Sequence, residues 1–310
     1  MSNLKRIRQR LITVTVSVLF ICAAACALTH PARAQDEQAQ GGHAQARQMR
    51  GEKWVLFSDV HLFAEYDWKD NGHAPNHNFA QARTAVLAED KPAGFVITGD
   101  AASFSGTQDD YRMVVTQLEP ITAAGIPVYV LMGNHDKLEN LNAVAPNLVF
   151  DSSRNWQATV VERPYANLFM LDSYVDVVGN SPPKFGKEQL EWLAAELDKR
   201  RYKPAILISH FNLSSQLLDY DEFWEIVKSR PQVKAYIHGH THMYTQDVKD
   251  DVHLVCLPAL GWGPWLAARS TVPVGWTVAA LRKNGIDFRL HTVNIDHELN
   301  GDLRRIYWLR

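Results

Sequence analysis

A layered α/β domain, with two sheets packed face to face and helices outside, is the fold class this sequence predicts. Three observations carry it. Short apolar runs alternate with helical patterns from residue 53 to about 131, a βαβα order. Past residue 243 the patterning is of strands alone, enough to extend a second sheet. The chain has 310 residues, 46% hydrophobic and 21% charged, an ordinary globular composition that can bury one large core without a second domain.

In chain order, Trp54 to Phe57 reads as a short buried strand, Phe79 to Glu89 as a helix and Gly94 to Thr98 as a second strand. Tyr111 to Thr122 is helical, and Ile126 to Leu131 is a third strand. Ala158 to Glu162 and Leu168 to Leu171 begin a second sheet. Lys187 to Lys199 is an amphipathic helix with Leu190, Leu193, Ala194 and Leu197 on one face. Ala205 to Ile208 and Val233 to Ile237 are strands, followed by four more at about 243–248, 252–257, 275–283 and 286–292. The intervening stretches 62–78, 137–157 and 211–222 are expected to be loops forming pocket walls.

Residues 1–34 are expected to lie outside the fold. Lys5, Arg6, Arg8 and Arg10 make a basic start, an apolar run extends from Leu11 to about Leu28, and Ala32-Arg33-Ala34 offers a cleavage site. This is the pattern of a secretory signal peptide, with a periplasmic or secreted destination. An uncleaved anchor and lipidation at Cys26 are the alternatives; the run sits near the lower length for spanning a bilayer. No Arg-Arg pair directs the segment to the twin-arginine route. Residues 35–51, rich in Gln, Ala, Gly and Arg, read as a flexible leader, and 52–310 as the single folded domain.

Cleavage after Ala34 would leave 27 basic and 34 acidic residues, a net charge of −7. A diffuse acidic balance does not favour nucleic acid or an anionic membrane as partner. Of three cysteines, Cys22 and Cys26 depart with the signal. Cys256 remains alone in an apolar run, which excludes an internal disulfide and reads as a buried, inert thiol.

Five polar clusters each follow closely after a predicted strand: Asp59-Val60-His61, Gly99-Asp100, Gly133-Asn134-His135-Asp136, Ser209-His210 and Gly239-His240-Thr241-His242. Ligands of open α/β sheets bind in the crevice beyond the strand C-termini, so clusters so placed can converge on one pocket. Imidazole suits zinc, iron and similar ions, and carboxylate and amide oxygens suit harder ones such as manganese; the mixture fits a binuclear divalent site. Without clustered cysteines it is no structural zinc knot. The i, i+2 spacing of Asp59 and His61, shared by His240 and His242, puts both side chains of a pair on one side of an extended strand end. The glycines before Asp100, Asn134 and His240 are expected to let the backbone turn tightly.

In this order the clusters resemble the calcineurin-like metallophosphoesterase superfamily, whose pattern is D-x-H, G-D, G-N-H-D/E, H and G-H-x-H, over about residues 53 to 243. The resemblance implies an α/β fold in the form of a four-layer αββα sandwich, two mixed β-sheets flanked by helices. It implies two divalent metal ions, with iron, manganese and zinc all open. Asp59, His61 and His242 would bind one, Asn134, His210 and His240 the other, and Asp100 would bridge them. His135 would lie beside the metals as proton donor or phosphate contact. Two ions about 3.5–4 Å apart would acidify a water between them, and the hydroxide left by its proton loss would attack phosphorus in line.

Departures from related branches narrow the class. Ala101 to Gly106, after Asp100, lacks the Asp and the phosphate-clamping Arg that Ser/Thr protein phosphatases carry there. Purple acid phosphatases lack the histidine of the first block, and His61 is present here. The nearest likeness is to bacterial phosphodiesterases of the cyclic-nucleotide and glycerophosphodiester type. The expected function is an exported phosphoesterase for phosphodiesters ahead of phosphomonoesters, with a small phosphate ester as its partner. A metal-retaining binding protein without turnover is the alternative, against which His135 argues.

Other residues carry less. His73 and His77 read as a solvated loop, His238 as packed beside the ligand block, and Arg112 and Trp192 as surface or packing residues. Asp136 either orients a ligand or caps a helix. The stretch Gly261-Trp262-Gly263-Pro264-Trp265 is either a packed loop or an aromatic wall for a substrate's organic group, and Asn212 is a candidate phosphate contact.

Overall fold

Side-chain alternation along the strands sets the layers. In β1 (Glu52–Phe57), Val55 and Phe57 face helices, whereas Trp54 and Leu56 face the other sheet. The same period of two recurs in β2 (Gly94–Ile97), where Phe95 and Ile97 point one way and Val96 the other. A strand apolar on both faces must be covered on both, which is why the sheets are sandwiched. The computed structural model describes residues 49–310 except 71, 175–181, 215 and 264–271. The segment read as a signal peptide, nearly all of the one read as a leader, and Pro264 and Trp265 therefore lie outside the described residues.

The first sheet runs β12-β11-β10-β1-β2-β3. Here β1, β2 and β3 (Val128–Val130) are parallel, and β10 (Gly275–Arg282), β11 (Gly285–Thr292) and β12 (Leu303–Tyr307) are antiparallel. Its outer face is covered by α1 (Pro75–Ala88), α2 (Gln108–Ala123) and α3 (Leu138–Val144), through Phe79, Tyr111, Val114 and Leu141 among others.

The second sheet runs β4-β5-β6-β7-β9-β8. Its strands are β4 (Thr159–Glu162), β5 (Asn167–Met170), β6 (Ala205–Ile208), β7 (Val233–His238), β8 (Thr245–Lys249) and β9 (Val252–Cys256). β5, β6, β7 and β9 are parallel, with antiparallel strands at both edges. α4 (Lys187–Lys199) and α5 (Tyr220–Lys228) cover its outer face with Leu193, Leu197, Phe223 and Val227. Between the sheets lie Trp54, Leu56, Met170, Ile206, Ile208, Ile237, Val255 and Phe288. The predicted four-layer αββα sandwich of two mixed sheets is what the chain forms. Among the described residues no helix is long and apolar enough to cross a membrane.

Several elements depart from the sequence reading. α1 begins at Pro75, earlier than predicted, because proline presets φ for a first helical turn and Asn76 is buried in bonds to the carbonyls of Phe63 and Glu65. α3 falls in a stretch read as a loop, and α5 begins at the end of another and runs on through residues given no element. The two helices are 7 and 9 residues long, too short for a periodic signal, and their apolar contacts are made to distant strands. β12 carries two arginines and buries only Ile306, so its strand state comes from pairing with β11.

Candidate metal centre

The parallel strands β1, β2 and β3 of one sheet and β6 and β7 of the other end at a common edge, and their following loops are bonded to one another. Asp59 N donates to Gly99 O at 3.2 Å, His61 N to Asp100 O at 2.9 Å and Gly239 N to His210 O at 3.0 Å. The backbone amide of His240 donates to both carboxylate oxygens of Asp59, at 3.2 and 3.1 Å.

The backbone here is not a continued strand. Asp59, His61, Asp100, His240 and His242 have φ of 50°, 46°, 51°, 66° and 55°. Left-handed conformations cost non-glycine residues about 1–3 kcal/mol each and persist only where surroundings over-determine them. The i, i+2 expectation thus gives the right neighbours for Asp59 and His61 by the wrong route. It fails for the second pair, since His242 joins Asp59 and His61 while His240 turns to Asn134. The glycines also divide. Gly99 has φ of 112°, so it supplies a conformation. Gly133 and Gly239 supply space, because a Cβ would overlap the Asp100 carboxylate at one and the Ser58 hydroxyl at the other.

Three overlapping sets of donor atoms, each within 4.8 Å of one another, result: Asp59, His61 and His242; His61, Asp100 and His135; and Asp59, Asp100 and His210. His242 Nε2 is 3.2 Å from Asp59 Oδ1, and Asp100 Oδ2 is 3.4 Å from His210 Nε2 and 3.6 Å from His61 Nε2. Asp100 therefore stands between the His61 and His210 sides. His240 Nδ1 meets Asn134 Oδ1 at 2.9 Å, and its ring centroid lies 5.3 Å from that of His210. All seven candidate ligands and His135 converge at one edge of the sandwich.

The electrostatics are those of a site built for cations. Burial opposes ionisation of Asp59 and Asp100, yet both carboxyls are held below the usual range, by His242 and His210 at Asp59 and by His210 and His61 at Asp100. Burial depresses His210, but Asp100 and Asp59 more than reverse this and raise it to about 9. Burial lowers His61 to about 3 and His240 to about 4. Nδ1 and Nε2 of His61, Nε2 of His210 and Nδ1 of His242 are buried without a hydrogen-bond partner. An unpaired buried polar group costs about 1–3 kcal/mol, so four at one point argue for something that takes their lone pairs. Divalent ions fit: they accept imidazole nitrogen and balance two buried carboxylates.

The calcineurin-like phosphoesterase model matches residues 53–244. The chain belongs to the calcineurin-like phosphoesterase family. Proteins of this family use a dimetal centre, and the residues just described are the candidates to hold it. The chain is 26% identical over 162 residues to a probable glycerophosphodiester phosphodiesterase of Arcobacter nitrofigilis, 49% of this chain but 57% of that protein. It is 25% identical over 263 residues to a probable cyclic nucleotide phosphodiesterase of Colwellia psychrerythraea, 81% of this chain and 93% of that one. Its fold is similar to a dimetal phosphatase from Danio rerio, with a TM-score of 0.64 at 15% identity, over 83% of this chain and 99% of that one.

Asp136 is the residue whose role the sequence left open in this calcineurin-like phosphoesterase. Its carboxylate accepts from Gly133 N at 2.9 Å, from Ala101 N and Ala102 N at 3.1 Å each, and from the Tyr111 hydroxyl at 3.0 Å. It caps no helix; it ties the loop after β2 to the loop after β3. Burial and the nearby Asp100 push its pKa up, against the pull of the amides. Asp110 does similar work: it closes a capping box with Thr107 at the start of α2 and accepts from Ala64 N at 2.9 Å. The Thr107-x-x-Asp110 spacing was a readable signal for the earlier helix start.

The remaining candidates sort by contact. His77 is exposed on α1 and pairs with Asp67 at 2.8 Å, and His73 pairs its backbone with Asp70. His238 is buried, bonded to Gly239 O at 3.0 Å and lowered by burial to about 4. Cys256 is a buried free thiol, pushed up to about 12 by burial. Asn212 lines a cavity of about 290 Å³ with His238, Thr241 and Cys256. Arg112 is exposed and pairs with Asp109, and Trp192 packs on Trp156. Trp262 is buried and stacks on the His61 ring, centroids 4.1 Å apart at 17°.

Proposed function

We propose that this chain is an exported, metal-dependent phosphodiesterase. The observation that carries the activity is the convergence of the donor sets Asp59, His61, His242 and Asp59, Asp100, His210 around two shared buried carboxylates, with four buried imidazole nitrogens unpaired. Asp59, His61 and His242 would hold one ion and Asn134, His210 and His240 the other, with Asp100 contributing to both. When bound, the two divalent ions supply Lewis-acid charge at the phosphoryl oxygens and lower the pKa of water. The names of the phosphodiesterase relatives favour diesters over monoesters.

His135 supplies the proton. Its backbone amide donates to Asp100 Oδ1 at 2.9 Å, which seats it against that carboxylate. Its Nδ1 lies 3.0 Å from the carbonyl of Phe104, which can only accept, so Nδ1 carries hydrogen and the ring's orientation is set. Nε2 is then the atom that protonates the departing alkoxide. Asp136 holds the two loops in register and so positions Asp100 and His135 together.

Purified protein loaded with manganese should hydrolyse bis(p-nitrophenyl) phosphate faster than p-nitrophenyl phosphate. Absence of hydrolysis of both, with two metals bound, would refute the enzyme reading in favour of a binding protein. The basic, apolar start and Ala32-Arg33-Ala34 support export, with a mature chain beginning near Gln35. Mass spectrometry of protein from its native cells finding an intact start would refute cleavage.

A further inference from the structure

His135 has an aromatic neighbour that is itself open to solvent. The ring of Phe104 lies with its centroid 5.5 Å from that of His135, edge to face at 69°. Phe104 remains 42% exposed. Behind it stand Trp262 at 5.1 Å, Phe63 at 5.6 Å and Trp68 at 6.4 Å. Phe63 and Trp68 are themselves stacked, 3.7 Å apart at 8°. The loop after β2 thus does two things at once: the Phe104 carbonyl orients His135, and the Phe104 ring forms a wall beside it.

This placement has a consequence for the substrate, resting on the phosphodiesterase reading above. A proton donor works within about 2.6–3.2 Å of the oxygen it protonates. The carbon group attached to that oxygen then begins only a bond length further on. With the phosphorus at the carboxylate and imidazole cluster, that group lies beside His135, within reach of Phe104. An exposed ring backed by three packed aromatic side chains cannot swing away cheaply, because its neighbours fill the space behind it. Such a surface rewards a flat, weakly hydrated partner over a flexible polyol, whose hydroxyls would be desolvated against it without hydrogen bonds.

We propose that Phe104 is the specificity residue of the departing-group subsite, and that the preferred substrates are phosphodiesters whose organic group presents a planar aromatic or heteroaromatic face. In the stretch read as either a packed loop or an aromatic wall, the buried Trp262 contributes as a backing for Phe104 rather than as the surface itself.

The test reads binding without turnover. Manganese-loaded protein is titrated calorimetrically with phenylphosphonate and with methylphosphonate, whose carbon–phosphorus bonds are not hydrolysed. The native protein should bind phenylphosphonate about 3- to 10-fold more tightly, the range of an aromatic contact beyond burial. Phe104→Ala should erase that preference while binding methylphosphonate as the native protein does, and Phe104→Trp should keep it. Methylphosphonate binding with no phenyl preference in the native protein, or a preference that survives Phe104→Ala, would overturn the proposal alone. Failure of both phosphonates to bind a protein holding two metals would overturn the phosphodiesterase reading and this proposal with it.

Discussion

Removal of the Asp136 carboxylate tests whether the centre is a set of loops held by one buried brace. In Asp136→Ala, four donors lose their acceptor: the amides of Ala101, Ala102 and Gly133 and the hydroxyl of Tyr111. Hydrogen bonds to a charged group are each worth about 1.5–3 kcal/mol, and the freed space admits water that restores part of this. A loss of about 3–5 kcal/mol of stability follows. For a domain of this size about 1 kcal/mol lowers Tm by roughly 2–4 °C, so the melting temperature should fall by about 6–20 °C. Asp136→Asn keeps one accepting oxygen and presents an amide NH2, itself a donor, to the other two donors, so its loss should be about half as large. Because the loops it joins carry Asp100 and His135, metal affinity should fall in both variants, in the same order. Thermal unfolding followed by circular dichroism, with metal content measured on the same samples, reads both effects. A Tm change below about 2 °C in Asp136→Ala would refute the brace. A large Tm change with unaltered metal affinity would show that the brace does not position the ligands.

Asp100→Ala should lose activity and at least one metal, since its carboxylate faces both His61 and His210; full activity with two metals bound would contradict this. His135→Ala should keep both ions and lower the rate by about 10²–10⁴-fold. Its loss should be smaller with p-nitrophenolate as leaving group than with a basic alkoxide, and an equal loss on both would indicate an electrostatic contact instead. Chelation should lower Tm by several degrees, because ligands that bind only the folded state add about 4 kcal/mol at a thousand times their dissociation constant; an unchanged Tm would argue against resident metals. Arg310→Ala should cost about 1–3 kcal/mol in chemical denaturation. Its guanidinium donates to the carbonyls of Val227 and Lys228 at the end of α5 and to those of Arg230, Val233 and Asp250, and an unchanged midpoint would reduce these to incidental contacts.

The layered α/β class, the main strands and the five polar clusters beyond their ends were legible in the residue order, and the resemblance to a known family drew the candidate ligands from those clusters. Apolar runs of four to six residues report strands buried on both faces whatever their partners, and Asp, Asn and His beyond their ends are residue types that divalent ions accept. Lys187–Lys199 was equally legible, because its apolar stripe repeats over several turns. What the tertiary structure decided is how those ends meet. The left-handed backbone of Asp59, His61, Asp100, His240 and His242 is imposed by bonds between loops far apart in the chain, such as His240 N to the Asp59 carboxylate. No local propensity calls for it. Asp136 was ambiguous for the same reason: its four partners lie 3, 25, 34 and 35 residues away, and sequence spacing cannot say which carboxylate will find amides. Phe104 passed unnoticed as one aromatic residue in a polar stretch, and α5 because its nine residues are too few for a periodic signal. A residue's type declares what it can bind, whereas contact with a residue distant in the chain is a property of the packed fold.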